Sequence, residues 1–597
     1  VRPESEPVFT SILWPRGTAP APDATAAPAP ALHDLALDQI LARIAPSAPA
    51  AREAWTHPLS DAAAITYRQR VFTALEDPPL HRGVQAFLQA TGRSEHLESA
   101  ARAARSPLFG TLQHCRALAA WTEAVEALDD LLAARFGTAR DTAGASEFEG
   151  SPTGGAEPDG WPLLSEHVRS LRRSPAFTSL AADARSAREH LAAFRYDALL
   201  RPGRVTVGPS GSTDDLVEHT RTVLGHFTEP APVGPGPGAA PQTGGQTDGE
   251  HDDHAQKTSH RVAAASAEST HELRTTGSTE TTETAAATAT TATTEMLDHV
   301  QLWMLEHAST LSPELFDPIR EIAARTTDFR DPVLVRFADE IRFYLALRDM
   351  LAPMRRAGLP ICMPKLTGTG PSAADDRTLE VEAGWDLALG ARLTADGTAV
   401  VTNDIALRGA ERILVVSGPN QGGKTTLART VGQLHHLAAL GCPVPAERAR
   451  IPLTDQVMCL FEREEDLDAV EGRLAREVTR LHAMLERTTS RSLLIINEAF
   501  ASTALADARI LTRDVLERII DRGASAVCVT FIDELSRLGP ATVSMVAQVD
   551  PEDPAHRTLR VVRAPAAGRA FARALAERHG LAPGLIAAHL HAQEVPR

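Results

Sequence analysis

The sequence predicts a mostly α-helical region followed, in the last third of the chain, by a layered α/β domain built around a phosphate-binding loop. Three observations lead there. Apolar residues recur at three- and four-residue spacing through most of the first 355 positions. After that, short apolar runs of strand length alternate with helical patterns. Between one such run, Ile413 to Val416, and a helical pattern, Leu427 to Leu440, lies the glycine-rich stretch Gly418 to Thr426, G-P-N-Q-G-G-K-T-T.

At 597 residues the chain exceeds one ordinary core, and its 43% hydrophobic content supports folding. The formal net charge of −17 weighs against a simple nucleic-acid coat, while a local basic face stays open. The five cysteines, Cys115, Cys362, Cys442, Cys459 and Cys528, are scattered and never C-x-x-C, which suits a reducing compartment and no structural zinc. With no secretory signal and no apolar run of about 18 residues, no membrane span is expected and a cytoplasmic location follows.

The elements follow in chain order. Residues 1–31, rich in Pro and Ala from Pro15 to Pro30, read as a linker. Residues 32–228 form a first helical part: helices from Leu32 to about Ala134, a polar loop at Asp141 to Gly160, helices again from Leu163 to Leu200, and a short strand at Arg204 to Val207. Residues 229–295 run from Pro and Gly into a Thr/Ala/Glu tract and cannot bury enough apolar area to offset ordering entropy, so disorder is expected. His251, Asp252, Asp253 and His254 within it are metal-ligand types; a solvated polar patch is the competing reading.

Residues 296–372 return to helix, anchored by Leu302, Leu305, Phe316, Ile319 and Ile322 and punctuated by Pro313. Phe337 to Met354 is a further helix, and Leu359 to Ala374 a connection. Residues 373–597 are the α/β domain. Leu467, Val470, Leu474, Val478, Leu481 and Leu485 lie at helical spacing. Leu493 to Ile496 and Ala526 to Val529 read as buried strands, with a helix at Ile510 to Ile520 stopped near Gly523. Val543, Met545, Ala547 and Val549 alternate with more polar residues; Thr558 to Val562 pairs with them as a hairpin, and a helix over Gly568 to His579 closes the domain. The tryptophans, Trp14, Trp55, Trp121, Trp161, Trp303 and Trp385, read as packing anchors rather than base-stacking groups.

The glycine-rich stretch fits G-x-x-x-x-G-K-[ST] from Gly418 through Gly423 and Lys424 to Thr425, with strand and helix in the order a phosphate-binding P-loop needs. Gly422 and Gly423 lack a Cβ, so the backbone N–H groups can face phosphate oxygens. The helix start near Lys424 adds partial positive charge. Lys424 supplies a point charge for β/γ-phosphates and the Thr425 hydroxyl a ligand for Mg²⁺. ATP with Mg²⁺ is the expected ligand, held by Gly418, Pro419, Asn420, Gln421, Gly422, Gly423, Lys424, Thr425 and Thr426. Such a site needs an acidic or polar group near Mg²⁺ and a base for water, which usually end the strand beside the phosphate loop. Leu493 to Ile496 runs into Asn497 and Glu498: Glu498 is the candidate general base, and Asn497 stands where an aspartate is usual, able to meet a Mg²⁺-bound water but bringing no charge. The competing reading of Asn497–Glu498 is a helix cap.

The assembled motifs resemble the MutS family of mismatch-repair ATPases. G-P-N-Q-G-G-K-T-T is close to that family's G-P-N-M-G-G-K-S-T. Thr402-Asn403-Asp404 resembles its P-N-D element, which implies that Asn403 lies against the adenine. Gly441 to Ala446 resembles G-x-x-V-P-A; Asn497-Glu498 with Ser502-Thr503 matches D-E…S-T in part; Thr530-Phe531 with Glu534-Leu535 sits at T-H-x-x-E-L; Gly568 through Ala572 to Gly580-Leu581-Ala582-Pro583 resembles the family's close. The resemblance is specific over Thr402 to Pro583 and implies an ABC-like P-loop NTPase domain behind a helical core and lever region. It further implies DNA as partner, duplex, mismatched or branched, and a homodimer through the ATPase domains.

Departures accompany it. Asn497 replaces aspartate, Phe531 replaces the histidine that senses the γ-phosphate, and Glu471-Gly472-Arg473-Leu474 lacks the serine that reaches the partner's nucleotide. A mismatch-reading domain is not expected at the start, where Phe148-Glu149 is the nearest F-x-E-like cluster, nor a Smr nuclease after the ATPase. The expectation is a divergent MutS-like ATPase in mismatch repair or related DNA-structure processing, hydrolysing slowly. The alternative is a nucleotide-switched scaffold that binds ATP and dimerises with little turnover. A chromosome-maintenance head would need long heptads between the two halves of its ATPase, and a kinase an acceptor-binding segment.

Overall fold

The computed structural model describes residues 8–15, 29–44, 49–136, 160–193, 299–369, 376–461, 472–550, 552 and 557–566. The chain forms two compact units, residues 1–93, 120–180 and 328–597 in the first, residues 94–119 and 181–327 in the second. In chain order the helices before the sheets are α1 (Ala29–Asp34), α2 (Leu37–Ile44), α3 (Pro49–Thr56), α4 (Ala62–Ala74), α5 (Pro78–Ala103), α6 (Pro107–Phe136), α7 (Gly160–Arg173), α8 (Pro175–Ala193), α9 (His299–Leu311), α10 (Pro313–Arg325) and α11 (Pro332–Arg356). There follow β1 (Lys365–Thr367), β2 (Leu379–Gly384), α12 (Leu387–Ala395), β3 (Asn403–Leu407), β4 (Ile413–Ser417), α13 (Lys424–Ala439), β5 (Arg448–Pro452), β6 (Val457–Leu460), α14 (Arg473–Arg487), β7 (Leu493–Asn497), α15 (Leu505–Asp521), β8 (Ser525–Val529), a 3₁₀ turn at Asp533–Arg537, β9 (Thr542–Val549) and β10 (Arg557–Arg563). Among the described residues no helix is long and apolar enough to cross a membrane.

In the first unit, α11 is the axis of the helical half. Asp331 caps it, accepting from Leu334 N at 2.9 Å, and Pro332 opens it with φ already helical. Its buried face is aromatic: Tyr344 packs on Phe72 at 4.7 Å between ring centroids and Phe343 on Trp55 at 5.3 Å. Residues 8–15, within the span expected to be a linker, pack here instead. Phe9, Ile12 and Leu13 are buried, and Glu340 accepts from Ser11 Oγ at 2.7 Å and Ile12 N at 2.9 Å. Burial pushes the Glu340 carboxyl up, against those hydrogen bonds. Arg68, wholly buried, donates through Nε to Leu13 O at 2.9 Å and through Nη1 to Leu440 O at 3.2 Å, with Trp14 beneath its guanidinium at 4.3 Å. A cation thus caps the carbonyl end of α13 and ties it to the N-terminal segment.

The α/β half holds two sheets among the described residues, ordered β1-β5-β2-β3 and β10-β9-β4-β8-β7-β6. In the second, the strands from β9 to β6 are parallel and β10 closes the edge antiparallel to β9. Every residue of β4 is buried, which is why it reads as an unbroken apolar run, while β9 alternates and buries Val543, Met545 and Ala547. Helices α14 and α15 cover one face through Leu481, Leu485, Leu516 and Ile519.

Several expectations change. The connection at Leu359 to Ala374 contains β1, which pairs with β5, so the α/β sheet begins ahead of residue 373. Helix α12 was not anticipated between the strands. Val478, read as an apolar anchor, is 41% exposed although it shares the stripe of Leu481 and Leu485, because full burial of α14 begins only at Leu481. The insert at 229–295 with its His251–His254 cluster, the loop at 141–159, the strand at Arg204 to Val207, Leu467, Val470 and the closing helix at Gly568 to His579 lie outside the described residues.

In the second unit, the Arg325 guanidinium meets Asp183 at 2.6 Å and His114 meets Glu98 at 2.7 Å. Pro313 starts α10 at its first turn, as its fixed φ and missing N–H allow. Burial pushes the Cys115 thiol up to about 12, so it is an inert core group.

Candidate active site

β4 delivers the chain into the loop from Gly418 to Gly423, and α13 leaves it at Lys424. The loop curls because three of its residues, Gly418, Gln421 and Gly423, have positive φ, at +118°, +62° and +92°. Two of these need glycine for a second reason. A Cβ on Gly418 would stand 2.9 Å from Ala547 Cβ, and one on Gly423 3.1 Å from Leu559 O. The cradle is therefore closed on one side by β9 and on the other by β10. A bulge between Arg557 and Val561 brings Leu559 over the loop.

The Lys424 side chain, 4% exposed, donates through Nζ to Gly418 O at 3.0 Å, Pro419 O at 3.4 Å and Asn420 Oδ1 at 3.1 Å. Glu498 Oε1 lies 3.6 Å from the same nitrogen. Burial lowers the Lys424 pKa and the Glu498 carboxylate opposes that shift. Thr425 Oγ1 donates to Asn497 Oδ1 at 3.1 Å. The two chain segments, one leaving β4 and one leaving β7, thus meet at the N-terminus of α13. They do so across an intervening strand: β8 lies between β4 and β7, so the strand carrying Asn497 is not the P-loop strand's neighbour. Parallel strands end on one edge, and the twist of the sheet brings the two ends together.

Glu498 and Phe500 both have left-handed backbone, at φ +52° and +60°. The Glu498 N–H donates to Val529 O at 2.9 Å, which ties its turn to the end of β8.

A cleft of about 340 Å³ opens beside the loop, within the range of small-ligand sites. Asn420, Gln421, Gly423, Lys424, Thr425, Thr426 and Glu498 border it on the phosphate side, and Asn403 on the other. Gly418 and Pro419 contribute carbonyls to Lys424, and Gly422 lies beneath the loop against Ala547. Asn403 Oδ1 accepts from Val561 N at 2.7 Å, which joins β3 to β10.

Sequence reasoning missed the apolar wall, Leu389 and Leu393 of α12 with Ala399, Val401 and Leu559. The signal was present in part: Leu389 and Leu393 are four apart, after Asp386, which caps α12 by accepting from Leu389 N at 2.9 Å. Arg429 and Gln433 of α13 both hold Asp386, so the wall and the loop's helix move as one piece. Phe531 is 52% exposed at the end of β8 and does not border the cleft. Gly472, Arg473 and Leu474 open α14, while Glu471 and Phe148-Glu149 lie outside the described residues.

The residues fit a nucleoside triphosphate with a divalent ion by the chemistry of the donor set, since the N-terminus of α13, the Lys424 amine and the Thr425 hydroxyl all border one cleft. Among the described residues no group of three or more His, Cys, Asp and Glu is placed to hold a metal ion.

Comparison with known proteins follows the same residues. Residues 414–588 match the family described as MutS domain V. The DNA mismatch repair protein MutS of Granulibacter bethesdensis is 32% identical over 169 residues, 28% of this chain and 18% of that protein. The endonuclease MutS2 of Thermus thermophilus is 33% identical over 186 residues, 30% of this chain and 24% of the relative. The endonuclease MutS2 of Gemmatimonas aurantiaca is 28% identical over 281 residues, 44% of this chain and 33% of the relative. The chain therefore spans no more than about a third of the length of these curated relatives. MutS domain V is the ABC-like P-loop ATPase domain of that family, and the loop, the Asn497–Glu498 turn, β7 and all of β4 but Ile413 fall inside the matched residues. Residues 414–588 thus carry a domain of the MutS family.

Proposed function

We propose that this chain binds MgATP in the cleft beside Gly418–Thr426, hydrolyses it slowly, and uses the cycle to control binding to duplex, mismatched or branched DNA. The observation that carries the reading is the convergence of Thr425 on Asn497 at 3.1 Å and of Lys424 on Glu498 at 3.6 Å, two chain segments meeting at one helix N-terminus. Lys424 and the loop N–H groups bind the phosphates. Thr425 and Asn497 would hold Mg²⁺, which when bound offsets charge on the phosphate oxygens. Glu498 orients a water and takes its proton. Asn403 and the Leu389–Leu393 wall receive the base. Asn497 supports slow turnover, because an amide holds a metal-bound water without adding charge.

By analogy with mismatch-repair relatives, two copies pair through their ATPase domains, in a cytoplasmic protein divided at about residues 228 and 295, with the α/β part starting at β1. The runner-up is a nucleotide-switched scaffold, favoured by Asn497 and by the exposed Phe531 where a phosphate-sensing histidine is usual. One experiment separates them: ATPase activity of the full chain against a panel of DNA structures, with Lys424→Ala as control. The expected result is slow hydrolysis stimulated by DNA and abolished in the control. Tight ATP binding without affinity for any nucleic acid at low salt would sink the DNA reading, and ATP-driven dimerisation without turnover would favour the scaffold.

A further inference from the structure

Behind the cleft, one carboxylate holds the turn on which Glu498 sits. Glu477, in the second turn of α14, is 15% exposed at its side chain, and its Oε2 accepts from the backbone N–H of Phe500 at 2.8 Å. Its other oxygen, Oε1, accepts from Arg473 Nε at 3.2 Å, one helical turn earlier. Phe500 is itself fixed, its ring buried in the core that Leu481 and Leu485 of α14 share. The segment from Glu498 to Phe500 has two non-glycine residues in left-handed backbone, a conformation that persists only where surrounding contacts hold it. Two such contacts are present: Glu498 N–H on Val529 O at one end and Phe500 N–H on Glu477 at the other. The first comes from the neighbouring strand, the second from a charged side chain twenty-three positions away.

We propose that Glu477 is a positioning residue for Glu498: it holds the reversed turn that aims the Glu498 carboxylate at the Lys424–Thr425 edge, and Arg473 fixes the carboxylate in turn. This rests on the role given to Glu498 above. A carboxylate accepting a main-chain N–H makes a stronger bond than a neutral acceptor does. Its loss lets the turn relax towards ordinary backbone and swings Glu498 away from the cleft.

The test is ATP hydrolysis by the full chain, with ATP affinity by calorimetry and a thermal melt on each variant. Glu477→Ala is expected to lower kcat about ten- to a hundredfold, the scale of a small misplacement of a catalytic group, with the ATP dissociation constant within about twofold because Glu477 touches neither Lys424 nor the glycine loop. Glu477→Gln, whose amide oxygen still accepts the Phe500 N–H, is expected to recover most of the rate. In a Glu498→Gln background, Glu477→Ala is expected to cost nothing further. Should Glu477→Ala fail to fold, Glu477→Asp, shorter by one methylene, tests the same contact and is expected to lose rate likewise. A lowered melting temperature with unchanged kcat overturns the proposal, as does an undiminished effect of Glu477→Ala in the Glu498→Gln background. If Glu498→Gln itself keeps full turnover, or the wild-type chain has none, the site reading fails first and this inference with it. If Glu498→Gln is dead and Glu477→Ala is not impaired, only the positioning role falls.

Discussion

Asn497→Asp asks the site a direct question. The amide oxygen of Asn497 accepts from Thr425 Oγ1 at 3.1 Å. Aspartate has the same shape and keeps that acceptor, so the packing of β7 is unchanged and the added quantity is one negative charge. It would stand at the N-terminal end of α13, where the helix dipole favours it by about 0.3–1 kcal/mol, so the melting temperature should hold or rise. A divalent ion and a single negative charge at about 4 Å attract by about 2 kcal/mol even at the dielectric of water, and by more in a partly buried cleft. That is roughly a thirtyfold change in a binding constant. The assay is calorimetric titration of ATP at a series of magnesium concentrations. The half-saturating magnesium concentration is expected to fall about thirtyfold or more, and turnover to rise with it. A magnesium requirement that does not move, in a variant that melts like the wild type, would show that Asn497 does not face the metal, and the account of slow hydrolysis would fall.

Two further outcomes follow from the fold. Gly418→Ala is expected to destabilise the chain by about 2–4 kcal/mol, combining a left-handed penalty of about 1–2 kcal/mol with overpacking against Ala547; Gly358→Ala, with nothing within 4 Å of its Cβ and φ +80°, is expected to cost only the former, and equal melts for the two would refute the close approach of β9. Burial holds His435 and His436 of α13 down to about 4. Their folded pKa values lie below the unfolded value, so their stabilisation is complete above about pH 6.5 and is lost as pH falls through about 4, by about 3 kcal/mol each. A melting temperature flat from pH 7 to pH 4.5 would contradict that burial, and His436→Gln, whose amide nitrogen stands where Nε2 does and keeps a donor for Trp55 O, is expected to halve the loss.

The phosphate loop was legible because its chemistry is local: Gly418 to Thr425 is a single turn whose spacing carries the ligand class. The alternation of β4, β7 and β8 with helices was legible for the same reason, since burial on both faces leaves an unbroken apolar run, and β9 was legible by its two-residue alternation. Glu498 was reached only by expecting a strand end beside the loop to supply a base, and nothing in Leu493 to Ile496 says that β8 will insert between that strand and β4. The N-terminal segment was misread because Phe9, Ile12 and Leu13 are too few to make a periodic pattern; what buries them is a groove along α11 and the carboxylate of Glu340.

Sequence by itself determined the glycine-rich loop and the layered architecture, through residue spacing that acts within one or two turns of backbone. Tertiary structure decided which distant groups meet around that loop: Thr425 meets Asn497 across 72 positions, Asn403 meets Val561 across 158, and Glu477 holds Phe500 from another helix. The physical reason is that a side chain's own face follows from local geometry, whereas its partner follows from strand order and helix packing, which only the closed core selects.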